Sequence, residues 1–345
     1  MNFPKNILIV RTDRIGDVVL SLPLASIIKK FYPDTKITFL LREYTRPLAE
    51  GNPFIDEVIT LKEKEGKPSV KDNIAQIKNK FDACVVAFPT YPIALILFMS
   101  NIPVRIGSGY RWYSFLFNNK VREHRKYGER HELEYNVRML KQLGIDYPVN
   151  ENNVEFGIVP SQAEEMKIAK QKELREINFS KPVVIVHPGS GGSSIDFPAA
   201  KMKALVESLS KLDIGVLITG SQSEKELCNS MVVSDNVINA AGKYNLAELT
   251  ALINKSDLMI ANSTGPIHIA AALGKYVIGF YPKIAACAPK RWGPYTNKKI
   301  IFSPTIDCKD CTRSQCEKLN CMDSIKVEEV LISSEIILRK ILAEK

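Results

Sequence analysis

Three short stretches set chemistry-bearing residues where a strand gives way to a helix. In "ILIVRTDRIGDVVLSLP" (7–23) an apolar strand runs into charged residues, and Asp17 follows Gly16 just as an apolar helix "DVVLSLPLASIIKKF" begins. An acid there either caps the helix, a contribution of about 0.3 to 1 kcal/mol, or stands as a carboxylate able to accept a proton from a hydroxyl. In "VVIVHPGSGGSS" (183–194) His187 closes a strand, and Gly189, Ser190 and Gly191 lie in a turn whose N–H groups can approach a phosphate closely. The spacing is neither G-x-G-x-x-G nor G-x-x-x-x-G-K-[ST], so a dinucleotide fingerprint and a P-loop both fail; an ordinary tight turn is the plainer reading. In "DLMIANSTGPIHIAAALGKYVIGFY" (257–281) Ser263, Thr264 and Gly265 precede a small-residue helix with Pro266 at a first position that tolerates it. That helix start offers free N–H groups, two hydroxyls and the positive end of a dipole to an anion, with His268 in the first turn either beside it or simply part of the core.

Two further stretches carry charge or metal chemistry. "YRWYSFLFNNKVREHRKYGERH" (110–131) holds six Lys/Arg, among them Arg122, Arg125 and Lys126, against two Glu. It is either a solvated loop or a basic, aromatic platform for an anionic partner, and no RNA-binding motif accompanies it. "CKDCTRSQCEKLNC" spaces Cys308, Cys311, Cys316 and Cys321 as C-x2-C-x4-C-x4-C. Four thiolates so close could hold a structural zinc or iron, whereas Cys84, Cys228 and Cys287 lie in apolar settings and read as reduced core thiols.

The elements that must position these residues follow from periodicity. Short β-branched runs ("NILIV", "KITFLL", "DEVITL", "ACVVAF", "VRIG"; then "PVVIVHPG", "IGVLITG", "NVINAAG", "LMIAN", "YVIGFY", "KIIF") alternate with longer amphipathic ones, twice over. Continuous apolar strands belong to parallel sheets covered on both faces, which predicts an α/β chain of two doubly wound domains. The chain has 345 residues, enough for two cores. We place the domains at 1–160 and 161–324, with a terminal helix at 325–345 able to pack back on the first domain. Ligands of such sheets bind outside the carboxyl ends of the strands, so two facing sheets predict a cleft with one ligand from each side. The balance of 47 Lys+Arg against 38 Asp+Glu, net +9, suits an anionic partner. The start "MNFPKNILIV" lacks a hydrophobic region of signal-peptide length, and Pro89 and Pro92 cut the most apolar run (83–103). A cytoplasmic protein without a transmembrane segment is therefore expected.

Taken in order, these motifs resemble glycosyltransferase family 9, the lipopolysaccharide heptosyltransferases, over nearly the whole chain. "RTDRIGDVVLSLP" is similar to the family's amino-terminal signature, "HPGSGG...FP" to its second-domain opening and "NSTGPIHIAAALG" to its donor-site motif; "TGSQSE", "KRWGPY" and the cysteine-bearing end have counterparts too. The resemblance implies a GT-B fold, two facing Rossmann-like domains binding acceptor and nucleotide-sugar donor respectively, and inverting transfer without a catalytic metal, consistent with the absence of any Asp-x-Asp. It implies Asp17 as the base. It also implies His187, Gly189, Ser190, Gly191, Ser263, Thr264, Gly265 and His268 around the donor, with Glu224 near the nucleoside, and Arg14, Arg122, Arg125 and Lys126 toward an anionic glycolipid at a membrane surface.

Two departures stand out. Ser263 occupies a position where heptosyltransferases commonly carry aspartate, and Ile195 one where a lysine or arginine commonly lies. A phosphate cation must then come from elsewhere, with Arg291 a candidate. ADP-heptose is the favoured donor and nucleic acid is not an expected partner. Another nucleotide sugar, a GT-B nucleotide-sugar epimerase and a noncatalytic nucleotide-sugar or RNA-binding module are the alternatives.

Overall fold

The computed structural model describes residues 3–171, 174, 177–306 and 311–344. The chain divides into two units, one of residues 1–125 and 132–159, the other of residues 126–131 and 160–345.

Apart from a short antiparallel ribbon of Glu63–Lys64 and Lys67–Pro68, the strands of the first unit are β1 (Asn6–Val10), β2 (Lys36–Leu41), β3 (Glu57–Thr60), β4 (Ala83–Val86), β5 (Val104–Ser108) and β6 (Asn119–Val121). They form a sheet of order β3-β2-β1-β4-β5-β6 in which every pairing is parallel. β1 is central, with Ile7 opposite Ile37 on one side and Ala83 on the other. Ile7, Leu8, Ile9 and Val10 are completely buried, which explains their unbroken apolar run: both faces of a central parallel strand are covered. Each such side chain contributes about 1.5 to 3 kcal/mol by leaving water.

The segment after β1 differs from the single helix its pattern suggested. It forms a short helix Ile15–Val19, a turn, and a second helix Pro23–Phe31. Pro23 has no N–H to continue the first helix, and at the first position of the second it loses nothing. β6 is also unanticipated: "NKV" is too short and polar to show strand periodicity, yet it closes the sheet edge beside β5 within the basic stretch.

The second unit repeats the plan with β7 (Val183–His187), β8 (Gly215–Ile218), β9 (Val237–Asn239), β10 (Leu258–Asn262), β11 (Tyr276–Phe280) and β12 (Lys299–Phe302), ordered β9-β8-β7-β10-β11-β12 and again parallel. Numbered within each sheet, both orders are 3-2-1-4-5-6, the doubly wound order whose switch point lies between the first and fourth strands. In the first unit that point is where β1 meets β4. In the second it is where β7 meets β10.

The terminal helix Val327–Glu344 buries Val330, Ile337, Leu338 and Ile341 in the second unit's core, with Met202, Leu205, Val206 and Leu209 of helix Ala199–Leu209. Its buried apolar residues pack within the second unit, while Ile332, Ile336 and Leu342 on the same helix are exposed. Among the described residues no helix is long and apolar enough to cross a membrane.

Candidate active site

The first unit's site is built at the carboxyl end of β1. The chain leaves the strand through Arg11, whose N–H still bonds Leu40 O at 3.1 Å. This arginine is only 2% exposed, and its guanidinium is enclosed by acids. Nε donates to Asp13 Oδ1 at 2.7 Å, Nη2 donates to Asp17 Oδ1, and Nη1 lies 3.6 Å from Glu132 Oε1. Glu132 is buried as well and also receives Arg125 Nη1. Asn136 completes the network: its Oδ1 accepts from Arg125 Nη1 at 2.9 Å, while its Nδ2 donates to Leu20 O at 3.1 Å, holding helix Glu132–Arg138 against the turn after Ile15–Val19.

Asp17 therefore does not serve as a helix cap. The helix starts at Ile15 after Arg14 with no side-chain cap bond, and the Asp17 carboxylate is turned toward Arg11. Burial raises its pKa from the ordinary value to about 6, against the opposing pull of Arg11 and with help from Asp13 and Glu132. Burial works against the Arg11 charge, but the carboxylates of Asp17, Asp13 and Glu132 outweigh it and push its pKa up. Two cations, Arg11 and Arg125, face three acids, so the cluster carries one excess negative charge when all are ionised. A carboxylate at the strand end with a pKa near 6 is ionised at neutral pH and still basic enough to take a proton.

Further along the same sheet edge the residues after β4 and β5 are aromatic and exposed. Tyr91 stacks on Trp112 at 4.9 Å and Tyr110 on His124 at 4.1 Å, and Trp112 is 73% exposed. Of the basic residues assigned to the acceptor, Arg14 and Arg122 are exposed in this unit, whereas Arg125 is drawn inward to Glu132 and Asn136. Lys126, exposed and 4.8 Å from the Tyr127 ring, falls in the segment that belongs to the second unit.

In the second unit two loops meet at the switch point. After β7, His187 is buried with Nδ1 2.9 Å from Thr219 Oγ1, and burial lowers its pKa to about 4. The turn that follows needs its glycines. Gly191 and Gly192 have φ of +56° and +75°, and a Cβ on Gly189 would collide with the Glu224 carboxylate. Glu224 Oε1 accepts from Gly191 N at 3.1 Å, and Oε2 accepts from Ser221 N at 2.8 Å and Ser221 Oγ at 2.7 Å. Burial alone would raise its pKa, but these bonds and His187 bring it below the usual range. One acid thus fastens the glycine turn to the loop after β8.

The second loop, after β10, leads through Ser263 and Thr264 into helix Gly265–Ala272, with Thr264 at the N-cap but no side-chain cap bond. Completely buried Asn262 ties the loops together, donating to Pro188 O at 2.5 Å and accepting from Phe197 N at 2.8 Å. Ser193 Oγ lies 2.7 Å from Ser190 O and 3.0 Å from Ser263 O. His187, Gly189, Ser190, Gly191, Glu224 and Ser263 are thus joined through one bonded assembly, with Thr264, Gly265 and His268 opening the adjoining helix. His268 Nδ1 is buried with no hydrogen-bond partner, and burial, then His131, lowers its pKa to about 3. It is a neutral ring and no phosphate cation. Arg291, the candidate cation, lies in Pro289–Trp292 with its guanidinium 4.9 Å from the Trp292 ring.

Cys316 and Cys321 are buried with Ile284, and Cys311 packs against them with Ile195. Cys308 lies outside the described residues. Among those that are described, no three His, Cys, Asp or Glu side chains are arranged to hold a metal.

The profile of glycosyltransferase family 9 (heptosyltransferase) matches residues 73–322, most of the chain. The chain belongs to this family. This glycosyltransferase is 27% identical over 338 residues to lipopolysaccharide heptosyltransferase 3 of Escherichia coli, covering 92% of this chain and 97% of that protein. It is 29% identical over 311 residues to the lipopolysaccharide core heptosyltransferase OpsX of Haemophilus influenzae, covering 87% and 84%. Its fold matches the solved structure of E. coli ADP-heptose lps heptosyltransferase II with a TM-score of 0.79 at 19% identity, over 97% of this chain and 99% of that one. The glycosyltransferase therefore has the GT-B type of α/β fold, two parallel six-stranded sheets in the order described above.

Sequence reasoning missed the residues that hold the candidate site together. Arg11 stood in the quoted signature but read as part of a turn, Thr219 and Asn262 open the quoted "TGSQSE" and "NSTGPIHIAAALG" without having been given a role, and Glu132 and Asn136 carried no motif. A charged or amide residue directly at a strand's carboxyl end is the one signal that marks Arg11 and Asn262.

Proposed function

We propose that this glycosyltransferase transfers heptose from ADP-heptose to a hydroxyl of a lipopolysaccharide inner core, inverting the anomeric centre without a catalytic metal. The observation that carries the reading is Asp17: an acid free of any capping role, held by one oxygen on Arg11 and brought by burial to a pKa of about 6. The acceptor hydroxyl oxygen bonds to the anomeric carbon as the bond from that carbon to the diphosphate oxygen breaks. The proton passes to Asp17, and the electron pair leaves with ADP. Inversion follows from a single in-line displacement, and Asp17 contributes as a general base.

On the second unit, the open N–H groups at the start of Gly265–Ala272 and the dipole behind them suit the departing diphosphate. The neutral His268 ring offers a hydrogen bond there. Glu224 bolts the turn beneath the donor, and its distance from the nucleoside is set by that role. The relatives named above are heptosyltransferases of lipopolysaccharide, which supports the sugar and the acceptor. Arg14, Arg122, the exposed aromatic pairs and the net charge of +9 support an anionic glycolipid and a peripheral place on the inner face of the cytoplasmic membrane. Cys308, Cys311, Cys316 and Cys321 remain the candidate ligands of a structural zinc or iron with no part in the transfer chemistry.

The test is a panel of nucleotide sugars in thermal shift, followed by transfer to core oligosaccharides lacking heptose, with the product read by mass. ADP-heptose should raise Tm and give a product heavier by one heptose. A shift with another nucleotide sugar alone would favour the second reading, a different donor, for which Ser263 in place of the common aspartate is the specific observation. Turnover of the donor alone, without acceptor, would indicate an epimerase.

A further inference from the structure

The cysteine-bearing segment does more than close the second unit. Helix Arg313–Lys318 directs Arg313 onto the backbone of the glycine turn, Nη1 donating to Gly192 O at 3.1 Å and Nη2 to Ser194 O at 3.1 Å, while Nε is held by Glu317 Oε1 at 2.9 Å. The carbonyl between them, Ser193 O, lies 3.6 Å from Cys287 Sγ. The next residue, Ile195, packs on the cluster of Ile284, Cys316 and Cys321. Four consecutive residues, 192 to 195, are thus gripped from one side. With their carbonyls drawn toward Arg313 and Cys287, the turn is held in the left-handed conformation that Gly191 and Gly192 adopt.

Ile195 packs both on the cluster of Ile284, Cys316 and Cys321 and on the second unit's core, so the position where the family resemblance leads one to expect a lysine or arginine is spent here on packing, and Arg313 brings a cation to the turn instead. We propose that Arg313 is a positioning residue of the donor site, setting the backbone of the 189–194 turn for a nucleoside diphosphate and supplying the positive charge that Ile195 does not. A planar guanidinium donates to the two carbonyls through two separate nitrogens while its third is held by Glu317, an arrangement a single ammonium nitrogen does not reproduce. Asp196, half-buried beside the turn with its Oδ1 unpartnered, adds negative charge that would oppose a phosphate unless a fixed cation stood near. The inference rests on the reading of this turn as the donor site.

The experiment compares wild type with Arg313→Ala and Arg313→Lys, using ADP itself as the probe. Arg313→Ala should weaken ADP about tenfold, since two hydrogen bonds from a charged donor are lost, and raise the donor KM while kcat and the acceptor KM change little. Arg313→Lys should recover part of that loss. Amide hydrogen exchange at 190–195 should quicken in Arg313→Ala even without ligand. A lower Tm with unchanged ADP affinity and unchanged exchange in the turn would reduce Arg313 to a surface tie and overturn the proposal. If the wild type itself bound no ADP, the donor reading would fall, and the exchange rates alone would still judge whether Arg313 sets the turn.

Discussion

Arg11 Nη2 donates directly to Asp17 Oδ1, joining the residue just after a buried strand to the acid that follows the glycine of the signature. The bond fixes one carboxylate oxygen and the rotamer. The arginine is shared with Asp13 and Glu132, so it does not draw Asp17 down to the low pKa of an isolated ion pair. Burial, the largest influence, prevails and leaves a usable base.

Asp17→Asn is expected to keep the fold and ADP binding and to lose about 10² to 10⁴ in kcat, the range of general-base contributions. Single-turnover transfer with saturating donor checks this. An asparagine variant with full rate would remove Asp17 from the chemistry.

The pH dependence follows from the same group. Transfer needs ionised Asp17, so kcat/KM should fall as pH drops through about 6. Stability runs the other way. The folded pKa is raised above the unfolded value near 3.8, so between about 4 and 6 the folded chain holds a proton that the unfolded chain has released. The Asp17 contribution therefore declines as pH rises through that window and is lowest above it. Asp17→Asn should lack this slope and at pH 7 melt no lower than wild type, a trade of stability for function. Denaturation at pH 4, 5, 6 and 7 for both proteins tests it; a variant losing stability most at pH 7 would contradict the sign.

Much of this frame was legible in the residues. Central strands such as Ile7–Val10 and Leu258–Asn262 are covered on both faces and so show unbroken apolar runs, and Pro266 marks a helix start. The local ties were not. Nothing near Arg11 announces Asn136, 125 residues away, because that contact exists only after the sheet has formed. Arg313 was hidden for the same reason, and the halt before Pro23 was masked by an apolar pattern that continues through it. His268 was legible as a candidate beside the helix start but not as a neutral ring, since its charge depends on burial.

Neutral His268 makes a specific expectation. Because burial keeps its pKa near 3, ADP affinity should not change between pH 6 and 8 through this ring. His268→Ala should weaken ADP more than adenosine, with His268→Asn retaining part of the difference. Isothermal titration of both ligands decides; equal losses would assign the ring to packing.

Transfer should survive EDTA, because the proposed diphosphate partners are N–H groups, a helix dipole and fixed side chains. Elemental analysis of protein purified under reducing, chelator-free conditions tests the cysteine segment separately: about one zinc or iron per chain would show that Cys308 completes a four-thiolate site that the described thiols do not form by themselves. Metal-free protein of full stability would leave Cys311, Cys316 and Cys321 as the packing residues that Ile195 and Ile284 contact. Activity abolished by EDTA and restored by magnesium would count against the metal-free mechanism.

The basic stretch separates into residues of different duty, so its test must separate them too. Arg125 is tied to Glu132 and Asn136, and Arg125→Ser should cost stability and kcat through the Asp17 network, whatever the membrane does. Arg122 is exposed on the first unit beside Gly109, and Lys126 is exposed on the second. Arg122→Ser should weaken sedimentation with anionic liposomes and raise the acceptor KM. Salt should mimic the change, because surface attraction is screened over about 8 Å at physiological ionic strength. Trp112, largely exposed, should blue-shift its emission on the same vesicles, and Trp112→Ser should reduce binding without the salt dependence, since its contribution is apolar. Donor affinity should stay constant in both variants. If Arg122→Ser lowered donor affinity and left acceptor kinetics unchanged, the division of labour between the two units would be the reverse of the one proposed.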